Sequence, residues 1–189
     1  MSQSVKTKSK ILESAIKIFS EKGYFKTKVS DIVANANLSQ GTFYNYFTNK
    51  DECFMEILKS LNNETIEKMN KIIDENQSLE IIFYLTEILF EKLFENKLIT
   101  KIFIFEARSS SNKFQELFYE FKNGLNDLFK GVIEKKYGKI KNVDTKMLIF
   151  NGAIHEIIEI HLLYNNEDLD TILKILKSCI NEIFGEIYA

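Results

Sequence analysis

Proline is missing from all 189 residues of this chain, and glycine occurs only 7 times. Long helices therefore run without interruption, and a sandwich or barrel built on tight turns is disfavoured. Cysteine is scarce as well. Cys53 and Cys179 lie far apart, with neither a disulfide framework nor metal-ligand spacing, which fits a reducing cytoplasm. No apolar run approaches the roughly 20 residues that span a bilayer. The N-terminus MSQSVKTKSKILESAIKIF lacks the apolar core and small-residue cleavage site of a secretory signal. A cytoplasmic protein with no membrane segment is expected. The chain also offers no nucleophile–base–orienter set, no phosphate-cradling glycine loop and no convincing metal cluster, so no catalytic residue, metal or cofactor is expected.

What is present points to helices. Hydrophobic residues make up 45% and charged residues 28%, ordinary for a folded chain. Strand-like alternation is hard to find, so the fold class is all-α, with about nine helices. The net charge of −2 hides an asymmetry. Residues 1–50 carry eight lysines against Glu13, Glu21 and Asp31, a net of +5, which leaves −7 for the rest. A basic head on an acidic body attracts a polyanion at one end and repels it from the other.

Ile11, Leu12, Ala15, Ile18 and Phe19 recur at helical spacing, and Gly23 stands where a helix-ending glycine belongs. Tyr24 and Phe25 are expected to cap a small core. Thr27 is a plausible N-cap for a helix over 28–36. Asn37 tolerates the left-handed conformation of a tight turn, and Ser39 offers a second N-cap for a short helix over 40–47. A long helix then opens near Lys50, with further helices at about 78–94, 97–108, 112–137, 144–164 and 167–187. Breaks are expected at Glu75–Gln77, Glu95–Asn96, Ser109–Ser111, Gly138–Asn142 and Asn165–Asn166.

The segment 28–54 carries most of the functional information. Val29, Ile32, Val33, Ala36, Leu38, Phe43 and Phe47 are spaced to bury a small core, which leaves Ser39, Gln40, Thr42, Tyr44, Asn45 and Tyr46 facing outward. A helix-turn-helix places its second helix in the major groove in this way. Gln40 can bond a base edge, preferentially adenine, and Thr42 can set a methyl against thymine or a hydroxyl on a phosphate. Gly41 lets the helix start approach the groove closely. Tyr44 and Tyr46 suit phosphate oxygens, while Asn45 can read a base or brace the backbone. Lys50 and Thr27, each at a helix start, suit phosphates.

The stretch from Gly23 to Asp51, GYFKTKVSDIVANANLSQGTFYNYFTNKD, resembles the DNA-binding domain of TetR-family transcriptional regulators, over roughly residues 5–55. The resemblance implies an N-terminal three-helix head (residues 1–50) and a C-terminal helical ligand-binding and dimerisation domain (residues 51–189). It also implies a homodimer on double-stranded DNA and repression relieved by a small molecule. DNA contacts carry over to Thr27, Gln40, Gly41, Thr42, Tyr44, Asn45, Tyr46 and Lys50, with Ser39 capping beside them. Two positions depart from the pattern. Asn37 replaces the usual turn glycine, and Lys28 stands where a second Thr or Ser is common, exchanging a cap contact for a phosphate charge.

Beyond residue 55 the reading is physical. Phenylalanine is dense there, and Phe83, Phe90, Phe103, Phe121 and Phe150, with Glu106 and His155, are candidates to line an apolar effector cavity. The alternative is that the same residues are ordinary core and the body senses nothing. Glu106 and Arg108 can equally form an ion pair, and His155 with Glu159 an i,i+4 pair. The last two helices carry wide apolar coverage that includes Ile157, Ile160, Tyr164, Leu173, Leu176 and Ile180. Such coverage suggests a four-helix interface between two chains, hence two half-sites and a palindromic operator. Effector, operator and regulated genes are not legible in the residues.

Overall fold

The computed structural model describes residues 3–75 and 80–188, with the side chains of residues 75 and 186–188 left undescribed. The break expected at Asn76–Gln77 lies outside the described residues. The described residues form nine helices and no strand. They are α1 (Gln3–Lys22), α2 (Val29–Asn35), α3 (Gln40–Tyr44), α4 (Lys50–Glu75), α5 (Ile81–Glu95), α6 (Lys97–Ile102), α7 (Asn112–Tyr137), α8 (Val143–Glu156) and α9 (Leu169–Tyr188). Two of them continue as π-helical turns, α6 through Phe103–Ala107 and α8 through Ile157–Tyr164.

The chain forms two compact units. One comprises residues 1–63 with 98–118, the other 64–97 with 119–189. The boundary expected at 50/51 therefore falls inside the first unit, and residues 98–118, assigned to the body from sequence, join the head.

Local chemistry explains the starts and stops. α1 ends at Gly23, which takes φ +77° and donates its N–H to the Phe19 carbonyl at 2.8 Å. Asn37 takes φ +51° between α2 and α3, while the Leu38 N–H reaches the Val33 carbonyl at 2.9 Å. A short amide side chain tolerates that conformation where most others do not. Ser39 caps α3 by accepting the Thr42 N–H at 3.1 Å. Asn142 and Asn166 repeat the left-handed solution before α8 and before α9, and Gly138 does so after α7.

The first unit is held by aromatic packing. Phe19 of α1 meets Phe54 of α4 at 4.7 Å between ring centroids. Tyr24 lies against both Phe54 and Phe114, at 5.6 and 5.5 Å. Phe19, Phe54 and Phe114 are fully buried, and each contributes about 1.5–3 kcal/mol by leaving water. Ile11, Ala15 and Ile18 of α1, Ile32 and Val33 of α2, and Phe43 and Phe47 complete this core.

The second unit has its own core. Met69, Ile81, Ile82, Leu85, Phe129, Ile133, Met147, Phe150, Ile180 and Phe184 pack together, with α9 against α5 and α8. Val143–Tyr164 is long and apolar enough by length and composition to cross a membrane, which the sequence reading did not foresee. Met147, Phe150, Ile157, Leu162 and Leu163 along it are buried in the unit, and it carries Asp144, Lys146, Glu156 and Glu159. It is thus partly packed into the unit, while Leu148, Ile149, Ile160 and Tyr164 along it are exposed.

Truncating the ring at the centre of the head tests this packing. Phe54→Ala is expected to lower unfolding free energy by about 3–5 kcal/mol, read as a fall in the urea midpoint.

Candidate nucleic-acid interface

α3 is short, so its orientation depends on anchors. Phe43 is fully buried and Phe47 nearly so, with ring centroids 5.5 Å apart. Two buried rings at i and i+4 point one side of the segment inward and leave the other to solvent. On the outer side Ser39, Gln40, Gly41, Tyr44 and Asn45 are exposed, and Thr42 and Tyr46 are half-buried. Helical geometry ends at Tyr44, three residues short of the expected limit, and Asn45–Tyr46 form a turn.

Several of these side chains are pre-oriented. The Ser39 hydroxyl caps Thr42 and lies 2.9 Å from the Thr42 hydroxyl. The Tyr44 ring stands edge-on to Phe43 at 5.6 Å, and is itself 53% exposed. The Tyr46 hydroxyl donates to Ser4 Oγ at 3.3 Å, bringing the first turn of α1 beside the recognition segment. A Cβ added at Gly41 would meet only Ser39 Oγ, at 3.7 Å, and its φ is not left-handed. The fold therefore does not require glycine there.

Two residues expected to meet phosphates, Thr27 and Lys50, are engaged by the head itself. Thr27 is buried and does not cap α2; its hydroxyl donates to the Gly23 carbonyl at 2.7 Å. Lys28 occupies the N-cap position, and its N–H donates to Asp31 Oδ2 at 3.0 Å. Hydrogen bonds from Lys22 and from the Lys28 backbone hold the Asp31 carboxyl below its ordinary range. The Lys28 side chain remains exposed, as a phosphate contact needs. Lys50 turns inward. Its ammonium donates to the carbonyls of Tyr24 (2.8 Å), Thr27 (3.1 Å) and Phe25 (3.4 Å), and stands 4.5 Å from the Tyr24 ring centre. Burial pulls its pKa down, with Asp51 and Glu106 opposing.

Phe25 is the residue that sequence reasoning misplaced. Tyr24 is buried as expected, but Phe25 is 62% exposed on the α1–α2 turn, next to exposed Lys26. Lysines following it at positions 26 and 28 were the available signal.

The expected cavity residues divide between the units. Phe103 and Glu106 belong to the head: Phe103 packs near Phe114 and Phe118, at 6.5 and 6.2 Å, and Glu106 accepts the Tyr24 N–H at 2.9 Å. Arg108 lies over the Phe118 ring at 4.6 Å, so the alternative Glu106–Arg108 pair gives way to these contacts. In the second unit Phe90 is fully buried, and Phe150 sits between Phe129 and Phe184, at 5.2 and 5.6 Å. Phe83 is half-buried with the Lys177 ammonium 5.3 Å from its ring centre, and Phe121 is half-buried. His155 is exposed and pairs with Glu159 at 3.3 Å; His161 pairs with Glu167, whose carboxyl that contact holds low. Among the described residues no three His, Cys, Asp or Glu side chains converge on a metal position.

The expected interface residues also split. Ile157, Leu176 and Ile180 are buried within the unit and Leu173 is half-buried. Ile160 and Tyr164 are exposed, Tyr164 to 81%, and Leu148 and Ile149 of α8 join them.

Residues 11–57 match the bacterial regulatory proteins of the tetR family, and residues 80–183 match the tetracyclin repressor-like C-terminal domain. The chain belongs to the TetR family. Its helix-turn-helix is thus a DNA-binding element, and the protein a DNA-binding transcriptional regulator. The HTH-type transcriptional regulator YhgD of Bacillus subtilis (strain 168) is 30% identical over 154 residues, 78% of each chain. The negative transcriptional regulator IcaR of the biofilm operon icaADBC in Staphylococcus epidermidis is 31% identical over 88 residues, 47% of this chain and 46% of IcaR. The crystal structure of the transcriptional regulator FadR from Bacillus subtilis, in complex with stearoyl-CoA, shares the fold. Its TM-score is 0.79 at 19% identity, covering 93% of this chain and 96% of that one.

The buried thiol of this TetR-family head gives a direct check. Burial, followed by Glu56 and Glu52, pushes Cys53 up to about 12. Thiolate is the reactive form, so Cys53 is expected to resist alkylation at pH 8 until denaturant is added, as read by intact mass.

Proposed function

We propose that the protein is a homodimeric repressor, acting in the cytoplasm on a palindromic operator and released by a small apolar or amphipathic molecule. The observation that carries the DNA reading is the outer side of residues 39–46, where buried Phe43 and Phe47 hold five exposed residues toward solvent. Gln40, Thr42 and Asn45 supply base-edge chemistry. Lys28, Tyr44, Tyr46 and the exposed Phe25–Lys26 pair supply contacts to phosphate and sugar. Thr27 and Lys50 contribute by shaping the turn.

The exposed apolar side chains Leu148, Ile149, Ile160 and Tyr164 support a second copy as the cover for the outer face of α8, since a solvated apolar stripe is costly. A two-fold pair sets its two recognition helices about 34–36 Å apart, one turn of duplex. The repressor direction is supported by IcaR, a negative regulator. The effector class is supported by the FadR complex with stearoyl-CoA, in which this architecture accepts an acyl thioester. An effector that binds the DNA-free form better by about 1–3 kcal/mol would release the operator. A second reading, a filled core that senses nothing, is favoured by the close packing of Phe129, Phe150 and Phe184.

Anisotropy titrations with duplexes from the region preceding its own coding sequence test the operator reading. Gln40→Ala is expected to cost about 1–3 kcal/mol and relax base preference at one position. Gly41→Ala is expected to leave the fold as stable or up to about 1 kcal/mol more stable, yet to weaken binding. Binding indifferent to sequence at moderate salt would refute the reading. Ile149→Lys with Tyr164→Lys is expected to yield monomers by sedimentation equilibrium. Thermal shift with long-chain acyl thioesters separates the two effector readings, because saturation at about 100 Kd adds about 2.7 kcal/mol of stability, whereas a filled core gives none.

A further inference from the structure

Glu106 follows Tyr24 by 82 residues, yet its carboxylate is built into the turn between α1 and α2. Its Oε2 accepts the Tyr24 N–H at 2.9 Å. Gly23 is demanded by its φ of +77°, and a Cβ there would stand 3.1 Å from both carboxylate oxygens, a tight approach that Glu106 would have to relax by a few tenths of an ångström. The carbonyls of the same turn take a cation, since Lys50 donates to those of Tyr24, Phe25 and Thr27. A third tie fixes the side chain of the turn: the Tyr24 hydroxyl donates to Asp51 Oδ1 at 2.6 Å. An anion on the N–H, a cation on the carbonyls and a carboxylate on the phenol together leave this turn little freedom.

The placement of Glu106 is itself unusual. It lies in the π-helical turn Phe103–Ala107, closed by the Arg108 N–H on the Phe103 carbonyl at 2.9 Å. Phe103 at the start of this turn and Ala107 at its end are buried, while Phe105 is exposed. The wider π turn inserts one residue relative to an α-helix, and such insertions concentrate at functional positions. What the turn presents is the DNA-facing part of the α1–α2 connection: exposed Phe25 and Lys26, then Lys28 at the start of α2.

We propose that Glu106 is a positioning residue for DNA binding. It holds the α1–α2 turn, and through it the start of α2, in the geometry that meets the DNA backbone, without touching DNA. Charged hydrogen bonds are the stronger kind, but the geometry needs an acceptor at that reach more than it needs the charge. Gln at 106 keeps a carbonyl oxygen in place; Ala removes it; Asp keeps the charge and withdraws it by one methylene.

The test compares Glu106→Ala, Glu106→Asp and Glu106→Gln in the full chain, on the duplex that the unaltered protein selects from a randomised library. Measurements are made where circular dichroism shows all variants folded. Ala and Asp are expected to bind about tenfold more weakly, with base preference unchanged, and Gln within about twofold of the parent. Hydrogen exchange of the Tyr24 amide supplies the second readout: faster in Ala and Asp, unchanged in Gln. If Ala does not fold, Asp against Gln decides. Parental affinity in Ala or Asp, or Gln as weak as Asp, overturns the proposal.

Discussion

The packing of Phe19, Tyr24, Phe54 and Phe114 is the constraint on which the DNA-reading surface depends. α3 is only five residues long, far below the length at which a helix is stable in water. It holds its place because Phe43 and Phe47 are sunk into a head whose other helices are locked by further buried rings. One of those rings, Phe114, comes from far along the chain, in the stretch 98–118 that joins the head. The head is therefore a three-helix motif completed by a distant segment, which also brings Glu106 to the α1–α2 turn.

That turn shows how charge is used inside a small domain. Lys50 and Glu106 would read on a surface as one more cation and one more anion. Here they take opposite polar groups of one backbone turn, and the burial that lowers the Lys50 pKa is opposed by Asp51 and Glu106. Both satisfy part-buried backbone groups of the turn, whereas an exposed ion pair contributes little.

The helix-turn-helix was legible because its signals are local. Apolar spacing, Asn37 and Ser39 each act within a few residues of themselves, and the structure has them in those roles. Thr27, Phe25 and Lys50 were not legible, since their surroundings are set by the fold of the α1–α2 turn, where Thr27 meets the Gly23 carbonyl and Lys50 the carbonyls of Tyr24, Phe25 and Thr27. In the body, phenylalanine at helical spacing looks the same whether it fills a core or lines a cavity. Phe90 and Phe150 turned out to be core, and Phe103 belongs to the head altogether. The apolar coverage near the C-terminal end divided for a geometric reason. The π-helical stretch Ile157–Tyr164 turns more slowly per residue than an α-helix, so Ile157 faces inward while Ile160 and Tyr164 face solvent.

The residues alone determined that the chain is helical, where most of its helices break, and that positions 39–46 form the outward-facing second element of a helix-turn-helix. Period, caps and turn residues encode those features at short range. Tertiary structure decided which charged groups support that surface and which remain free to meet phosphate, and which apolar side chains are core and which form an open face. Those outcomes depend on contacts between segments from about twenty to about eighty residues apart in sequence, and no local pattern carries that information.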